Sequence, residues 1–152
     1  MKVLSLYISP SHIYVGRHGK GSLDVPMQAV EQVECIAGKG IEGDRYFDHK
    51  PDFKGQITFF SKEVYDALCE EYAVFDRDPW VFRRNVLVEG KDLNELIGQE
   101  FEVQGVRFSG SEEARPCYWM EEAFCPGAEA SLKGRGGLRA RILTNGTLRS
   151  AA

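Results

Sequence analysis

Short β-branched and aromatic segments separated by glycine-containing turns make up most of the sequence, and they restrict the fold more than any other feature. Most are shorter than typical helices and have the composition of buried strands. Two segments are rich in turn formers. Residues 9–22 are predicted to form a loop or flexible hairpin, and residues 38–44 are predicted to form a turn. Strands are predicted at 2–8, 28–37, 55–60, 85–90, 100–110 (one strand, or two joined at a glycine) and 138–146.

Helical periodicity is clear in only one segment, residues 61–74. Ser61 is a suitable N-cap, and Val64, Leu68 and Tyr72 recur on one face. Residues 91–98 predict a single helical turn. Many strands with few helices favour a mainly β fold, β-barrel-like and closed or half-closed, with helical insertions. A doubly wound parallel sheet would need more helices, and 152 residues suit a single domain spanning 1–152.

Charge and composition exclude several functional classes. The net charge of −4 and the pI near 5.4 give no electrostatic reason to expect nucleic-acid binding. No apolar stretch approaches the ~20 residues of a membrane helix, so we predict a cytoplasmic protein without membrane contact. Its four cysteines should then be reduced. They form no CxxC pair, so no structural zinc site is predicted.

Cys117 lies within EEARPCYWMEEAF (112–124) and is the candidate reactive residue. Pro116 suits the first position of a helix, which would place Cys117 in the first turn, where the helix dipole and Arg115 favour a thiolate. The acidic residues on both sides would oppose this effect and are predicted to point outward. A buried cysteine that packs as a small apolar residue explains the local sequence equally well.

A second candidate site is LKGRGGLRARIL (132–143). Its three glycines allow an anion-binding nest, and Arg139 and Arg141 lie on one face of a strand, just after Lys133 and Arg135. This composition predicts a socket for a phosphate or another polyanion. The alternative is a glycine-rich turn followed by an edge strand with solvated arginines.

Two further segments carry weaker signals. In GIEGDRYF (40–47), Gly43 permits a turn, and Asp44 and Arg45 can pair or orient a ligand. In FRRNVLVEG (82–90), strand alternation predicts that only one of Arg83 and Arg84 faces a given site, while Asn85 offers an amide. A surface turn and a capped strand explain these segments as well.

Taken in order, these four segments resemble the MOSC domain, named after the C-terminal domain of molybdenum cofactor sulfurases, over roughly three-quarters of the chain. The resemblance implies a barrel-like β fold that binds a pterin cofactor. Cys117 matches the family's characteristic cysteine, which carries sulfur in cofactor sulfuration or ligates molybdenum in related enzymes. The positions matching the pterin pocket are Gly43, Asp44, Arg45, Arg84, Asn85, Gly134, Arg135, Gly136 and Gly137.

The resemblance implies a protein that binds the molybdenum cofactor (molybdopterin), with Cys117 as catalytic residue and metal ligand or sulfur carrier. Arg135, Arg139 or Arg141 would hold the anionic end of the cofactor. A sulfur transferase or a molybdenum-dependent reductase component is implied, and an external sulfur donor or reductase would supply sulfur or electrons. The alternatives are a non-catalytic cofactor carrier or regulatory module, and a structural barrel without a pocket. The ending TNGTLRSAA lacks the Gly-Asp turn of many members, which could leave a barrel edge open.

Overall fold

The computed structural model describes residues 1–10 and 27–151, so the loop or hairpin predicted at 9–22 lies almost entirely outside the described residues. The helices are α1 (Lys62–Tyr72), α2 (Trp119–Ala123) and α3 (Ala128–Leu132), with 3₁₀ turns at Pro79–Phe82 and Leu93–Leu96. The strands are β1 (Lys2–Ile8), β2 (Gln28–Val30), β3 (Gln32–Ile36), β4 (Gly40–Ile41), β5 (Ile57–Ser61), β6 (Val86–Glu89), β7 (Glu100–Val103), β8 (Val106–Glu113), β9 (Leu138–Ile142) and β10 (Gly146–Arg149).

Two sheets organise these strands. The larger has seven strands in the order β2-β1-β6-β5-β9-β8-β7, and the smaller has the order β10-β3-β4. Strands β5 and β6 are parallel, and α1 lies in the connection between them. The mainly β prediction is confirmed, but the larger sheet is not closed into a barrel. Its outer strand β2 has three residues, and the chain then joins the smaller sheet through β3.

The predicted helix at 61–74 is confirmed as α1. The Ser61 hydroxyl accepts a hydrogen bond from the Val64 N–H at 3.3 Å, which caps the first turn. The helix ends at Ala73, whose φ of 52° is left-handed. Leu68 and Cys69 are the buried residues of this helix, so the interpretation of Cys69 as a packing residue is also confirmed.

Residues 100–110 form two strands rather than one. Gln104 and Gly105 both have positive φ (52° and 82°), which is the requirement of the tight two-residue turn between antiparallel strands. Two strand predictions are partly wrong. Residues 28–37 divide into β2 and β3, which belong to different sheets. The strand predicted at 138–146 ends at Ile142, and the separate strand β10 was missed.

The core has two parts, one on each face of the large sheet. Phe59 belongs to the cluster facing the small sheet, whereas the adjacent Phe60 packs among the helices, as strand alternation requires. Phe59 lies 5.4 Å from Phe108 between ring centroids, and Phe60 lies 4.8 Å from Phe82. The sheet between these clusters contributes strands to the site described next. No helix within residues 1–10 and 27–151 has the length and apolar character to cross a bilayer.

Candidate functional site

A cavity of about 480 Å³ lies where the loop after β4, the start of β6, the end of β8 and strand β9 meet. Cys117 lines it together with five arginines and two carboxylates. Its apolar walls include Phe53, Phe82 and Trp119. The charged lining residues are Arg45, Arg83, Arg84, Arg115, Arg139, Glu112 and Glu113.

The Cys117 side chain is exposed, so the interpretation as a buried packing residue is wrong. The predicted position in the first turn of a helix is also wrong, because α2 begins at Trp119 and has only five residues. Cys117 precedes the helix, and its carbonyl accepts a hydrogen bond from the Met120 N–H at 3.0 Å. The Trp119 indole donates to the carbonyl of Val81 at 2.7 Å and anchors the start of α2. The thiol is therefore presented by the segment between β8 and α2.

The acidic residues around Cys117 behave in two ways. Glu121 is not among the residues that line the cavity, and its carboxylate accepts hydrogen bonds from the backbone N–H groups of Gly127 (2.7 Å) and Glu129 (2.9 Å) at the start of α3. The prediction that the acidic residues point outward is wrong for Glu112 and Glu113, which line the cavity. Glu112 accepts a hydrogen bond from Arg139 at 2.6 Å, so its charge is compensated within the site.

The glycine-rich loop does form an anion nest, but the chain's own carboxylate occupies it. Oε2 of Glu113 accepts hydrogen bonds from the N–H groups of Gly134 (2.9 Å) and Gly136 (3.1 Å). Gly136 and Gly137 have close backbone neighbours. A Cβ at Gly136 would lie 2.3 Å from the Ala114 oxygen, and one at Gly137 would lie 2.5 Å from the Phe59 oxygen. These glycines pack one loop against another.

The arginines of the predicted phosphate socket lie at different sites in the structure. Arg139 lines the cavity, with its guanidinium carbon 5.1 Å from the centre of the Phe53 ring. Arg141 forms an ion pair with Asp52 at 2.8 Å and is not among the residues that line the cavity. Arg135 lies against Ser131 and Glu71, at a second cavity of about 370 Å³. The predicted socket is therefore represented by Arg139 alone.

Asp44 and Arg45 have different surroundings. The buried Asp44 carboxylate accepts hydrogen bonds from the N–H groups of Ser9 (3.0 Å) and Tyr46 (3.3 Å), so it shapes the loop. Arg45 lines the cavity, and its guanidinium carbon lies 4.6 Å from the centre of the Tyr46 ring. Its Nη1 atom is buried and has no hydrogen-bond partner among residues 1–10 and 27–151. This is the kind of donor that a ligand oxygen satisfies.

Arg83 and Arg84 both line the cavity, so the prediction that only one faces it is wrong. Arg83 ends a 3₁₀ turn with a left-handed φ of 59°, and strand alternation therefore does not apply to it. Burial, followed by the charge of Arg45, lowers the pKa of Arg83. Burial lowers the pKa of Arg84 to about 10, an effect that the charge of Cys117 opposes. Asn85 accepts from the Thr58 N–H and hydroxyl and donates to the Tyr7 carbonyl, so it connects β1 to β5.

Sequence reasoning missed several residues of this cavity. Arg115 was considered only as a neighbour of Cys117, and Phe53 and Trp119 were not considered at all. The sequence PDFKG (51–55) carries a turn signal next to an aromatic residue, but nothing local connects it to Cys117. Only the fold brings these side chains together.

The family model of the MOSC domain matches residues 47–150, well over half of the chain and including Cys117. The chain belongs to the MOSC domain family. No curated protein matches it in sequence.

Solved structures share the fold of this MOSC domain. The YUAD protein from Bacillus subtilis has a TM-score of 0.74 and 19% identity, covering 98% of this chain and 91% of that one. YiiM from Geobacillus stearothermophilus has a TM-score of 0.69 at 15% identity, and the match covers 97% of this chain and 70% of that one. YiiM from Escherichia coli has a TM-score of 0.65 at 15% identity, and the match covers 100% of this chain and 67% of that one. At these identities the likeness shows the fold.

The cysteines of this MOSC domain should react with iodoacetamide in a defined order. Cys117 is exposed and should be modified first. Cys125 is half-buried, and burial together with the charge of Glu121 raises its pKa, so it should react more slowly and gain rate as the pH rises. Burial raises the pKa of Cys35 to about 12. Cys35 and Cys69 are both buried and should react only after unfolding. Peptide mapping of a labelling time course measures this order, and early labelling of Cys35 would contradict it.

Proposed function

We propose that the cavity binds the molybdenum cofactor and that Cys117 serves there as metal ligand or sulfur carrier. The observation that supports this most strongly is that the exposed Cys117 thiol lines the same cavity as five arginines. A soft thiolate suits both a molybdenum centre and a transferable sulfur atom. Arginines suit the anionic phosphate of a pterin cofactor, since their planar donors match phosphate oxygens.

The residues present fit such a group. A volume of about 480 Å³ is within the ordinary range of cofactor pockets. The Nη1 of Arg45, which no described residue engages in a hydrogen bond, offers a buried donor to a ligand oxygen. Among residues 1–10 and 27–151, no cluster of three or more His, Cys, Asp or Glu could hold a metal, so Cys117 would be a single protein ligand to a metal that the cofactor brings. When bound, the cofactor would supply redox or sulfur-transfer chemistry.

The residues of the proposed site have three roles: binding the anionic end, excluding water and supporting the site. Arg45, Arg83 and Arg139 would bind the anionic end, while Phe53 and Trp119 exclude water from one wall. Three of the positions that the family resemblance predicts would hold the shape of the site without binding the cofactor: Asp44, Arg84 and Asn85. Their polar atoms form hydrogen bonds with the protein backbone or with Thr58. Gly136 and Gly137 would hold the shape of the site by close packing of the backbone. Arg135 and Arg141 lie outside the cavity, and we leave them out of the proposed pocket.

A non-catalytic carrier is the second candidate function. Both carboxylates of the cavity are in hydrogen bonds, and no histidine is among its described lining residues. The described lining therefore offers neither a carboxylate outside these hydrogen bonds nor an imidazole for general acid–base catalysis. A carrier would bind the cofactor and show no reductase activity with any electron donor. An enzyme would turn over once a partner reductase or sulfur donor is supplied, and a cytoplasmic setting would keep its thiol reduced.

The experiment is purification from a host that makes the cofactor, followed by molybdenum analysis and pterin fluorescence. We expect both signals in stoichiometric amounts. Absence of both from the purified protein, and no binding on reconstitution with the cofactor, would contradict the proposal.

Arg45→Met is expected to weaken cofactor binding by at least ~10-fold while leaving the Tm unchanged or slightly higher. A buried donor without a partner costs stability, and a methionine of similar length removes it. Binding is measured by pterin fluorescence titration and Tm by calorimetry. Arg107→Met is the matched control, because Arg107 pairs with Glu100 outside the cavity. Equal affinities for the two variants would show that Arg45 does not contact the cofactor.

A further inference from the structure

Most N–H groups of the Arg84 guanidinium donate hydrogen bonds to backbone carbonyls. Its Nε donates to Gly136 at 3.0 Å, Nη1 donates to Phe82 at 3.1 Å, and Nη2 donates to Ala114 at 2.7 Å and to Arg115 at 3.2 Å. These bonds engage four of the five N–H groups that an arginine carries. The acceptors belong to three separate segments: the 3₁₀ turn before β6, the segment that leads to Cys117, and the glycine loop.

Glu113 also joins two of these segments, the one that leads to Cys117 and the glycine loop. It ends β8, four positions before Cys117, and its carboxylate accepts hydrogen bonds from the N–H groups of Gly134 and Gly136. The neighbouring Ala114 N–H donates to the Gly137 carbonyl at 2.9 Å. The lack of space for a Cβ at Gly136 shows how closely the two segments pack. The position of the Cys117 backbone is therefore coupled to the glycine loop.

We propose that Arg84 and Glu113 are positioning residues that act through the backbone of residues 114–116. They hold the Cys117 thiol among the other four arginines of the cavity, here called the arginine cluster (Arg45, Arg83, Arg115 and Arg139). Arg84 has a single N–H group outside these four bonds, and the Glu113 oxygen in the nest is already used, so their role is to shape the site. Burial of the Arg84 charge among neutral carbonyls, which lowers its pKa, agrees with this role. The use of the positioned thiol rests on the proposed function, but the positioning itself is measurable without a cofactor.

The test is the rate at which iodoacetamide modifies Cys117 in the cofactor-free protein at one fixed pH. Glu113→Leu removes both the acceptor oxygen and a negative charge from the cavity, and loss of the charge alone would speed the reaction of the thiolate. If Glu113 acts by position, the thiol leaves the arginine cluster and the reaction slows, by roughly fivefold. Arg84→Gln should slow the reaction as well, and the double variant should add little because both residues hold one structure. Faster modification of Glu113→Leu would overturn the proposal.

Three further variants keep the test decisive. Glu113→Asp keeps the charge but shortens the reach, so it should slow the reaction, whereas an unchanged rate would argue against positioning. Arg84→Lys keeps the charge but cannot reach carbonyls on three segments, and rescue of the wild-type rate by this variant would overturn the proposal. Glu112→Leu is the matched control, since Glu112 also lines the cavity but its carboxylate accepts from Arg139, whereas that of Glu113 accepts from the glycine loop. It should follow electrostatics and react faster.

Hydrogen exchange supplies an independent readout. In Arg84→Lys and Glu113→Asp, the amides of Ala114 and Gly136 should exchange at least ~10-fold faster, because their hydrogen bonds hold the two segments together. Protection of the buried Cys35 from alkylation shows that each variant is folded. Unchanged exchange would contradict the inference even if the wild type binds the cofactor. The expected pattern in a protein that never binds the cofactor would contradict the proposed function alone.

Discussion

Gly136→Ala is expected to lower the free energy of unfolding by about 3 kcal/mol or more, the largest stability effect that we predict. The added Cβ would lie 2.3 Å from the Ala114 oxygen and 2.9 Å from Cδ of Pro116, and neither is the end of a flexible side chain. Moving Ala114 would also disturb its hydrogen bond from Arg84. The Tm should fall by roughly 10 °C for a domain of this size. Urea and thermal unfolding measure both quantities.

Gly134→Ala separates the steric effect from backbone strain. Gly134 has a positive φ of 84°, but a Cβ there would meet nothing within 4 Å. Its cost should be about 1 kcal/mol, the strain of an alanine in a left-handed conformation. Gly136 has no such positive φ, so its cost comes from the close contact. Equal losses for the two variants would show that the contact at Gly136 relaxes freely.

Cys117→Ser is expected to abolish molybdenum or sulfur loading while leaving the Tm within about 1 °C of wild type. The side chain is exposed, so exchanging sulfur for oxygen disturbs little packing. A hydroxyl neither ligates molybdenum like a thiolate nor carries a transferable sulfur. Metal analysis, cyanide-released sulfur and the intact mass of freshly purified protein measure the loading. Molybdenum lost with the thiol indicates a ligand, whereas an extra sulfur atom on wild-type Cys117 alone indicates a carrier.

Cys125→Ser is the matched control for that experiment. Cys125 is the nearest cysteine along the chain, is half-buried, and does not line the cavity. The variant should retain wild-type loading. Equal loss in both variants would point to a general effect of cysteine replacement, and full loading of Cys117→Ser would remove Cys117 from the proposed site.

Local sequence patterns predicted much of the secondary structure. The Ser61 cap and the apolar stripe after it act within one turn of chain, so α1 was predictable. Residues 28–37 look like one strand because a local pattern does not indicate which sheet a segment joins. Strand β10 was missed because it has four residues, and only Leu148 in it is buried. Its pairing with β3 depends on residues more than one hundred positions away.

The candidate site was predictable in part. The sequence identified Cys117, Arg45, Arg84 and Arg139 as candidate site residues, and all four line one cavity. Arg141 was assigned to the same face as Arg139, which is correct for a strand, but its ion pair with Asp52 holds it away from the cavity lining. The strand pattern indicated the face, and a partner from a distant loop determined the contact.

By itself, the sequence determined that this protein is mainly β, that a single long helix follows Ser61, and that a cysteine and a glycine–arginine segment are its candidate chemistry. Those properties follow from short-range periodicity and backbone sterics. Only the tertiary structure decided that the glycine nest holds Glu113, that Arg84 binds four carbonyls, and that Cys117 is exposed before its helix. Each depends on groups that are distant in the chain, and a buried donor or acceptor takes whichever partner the fold places beside it.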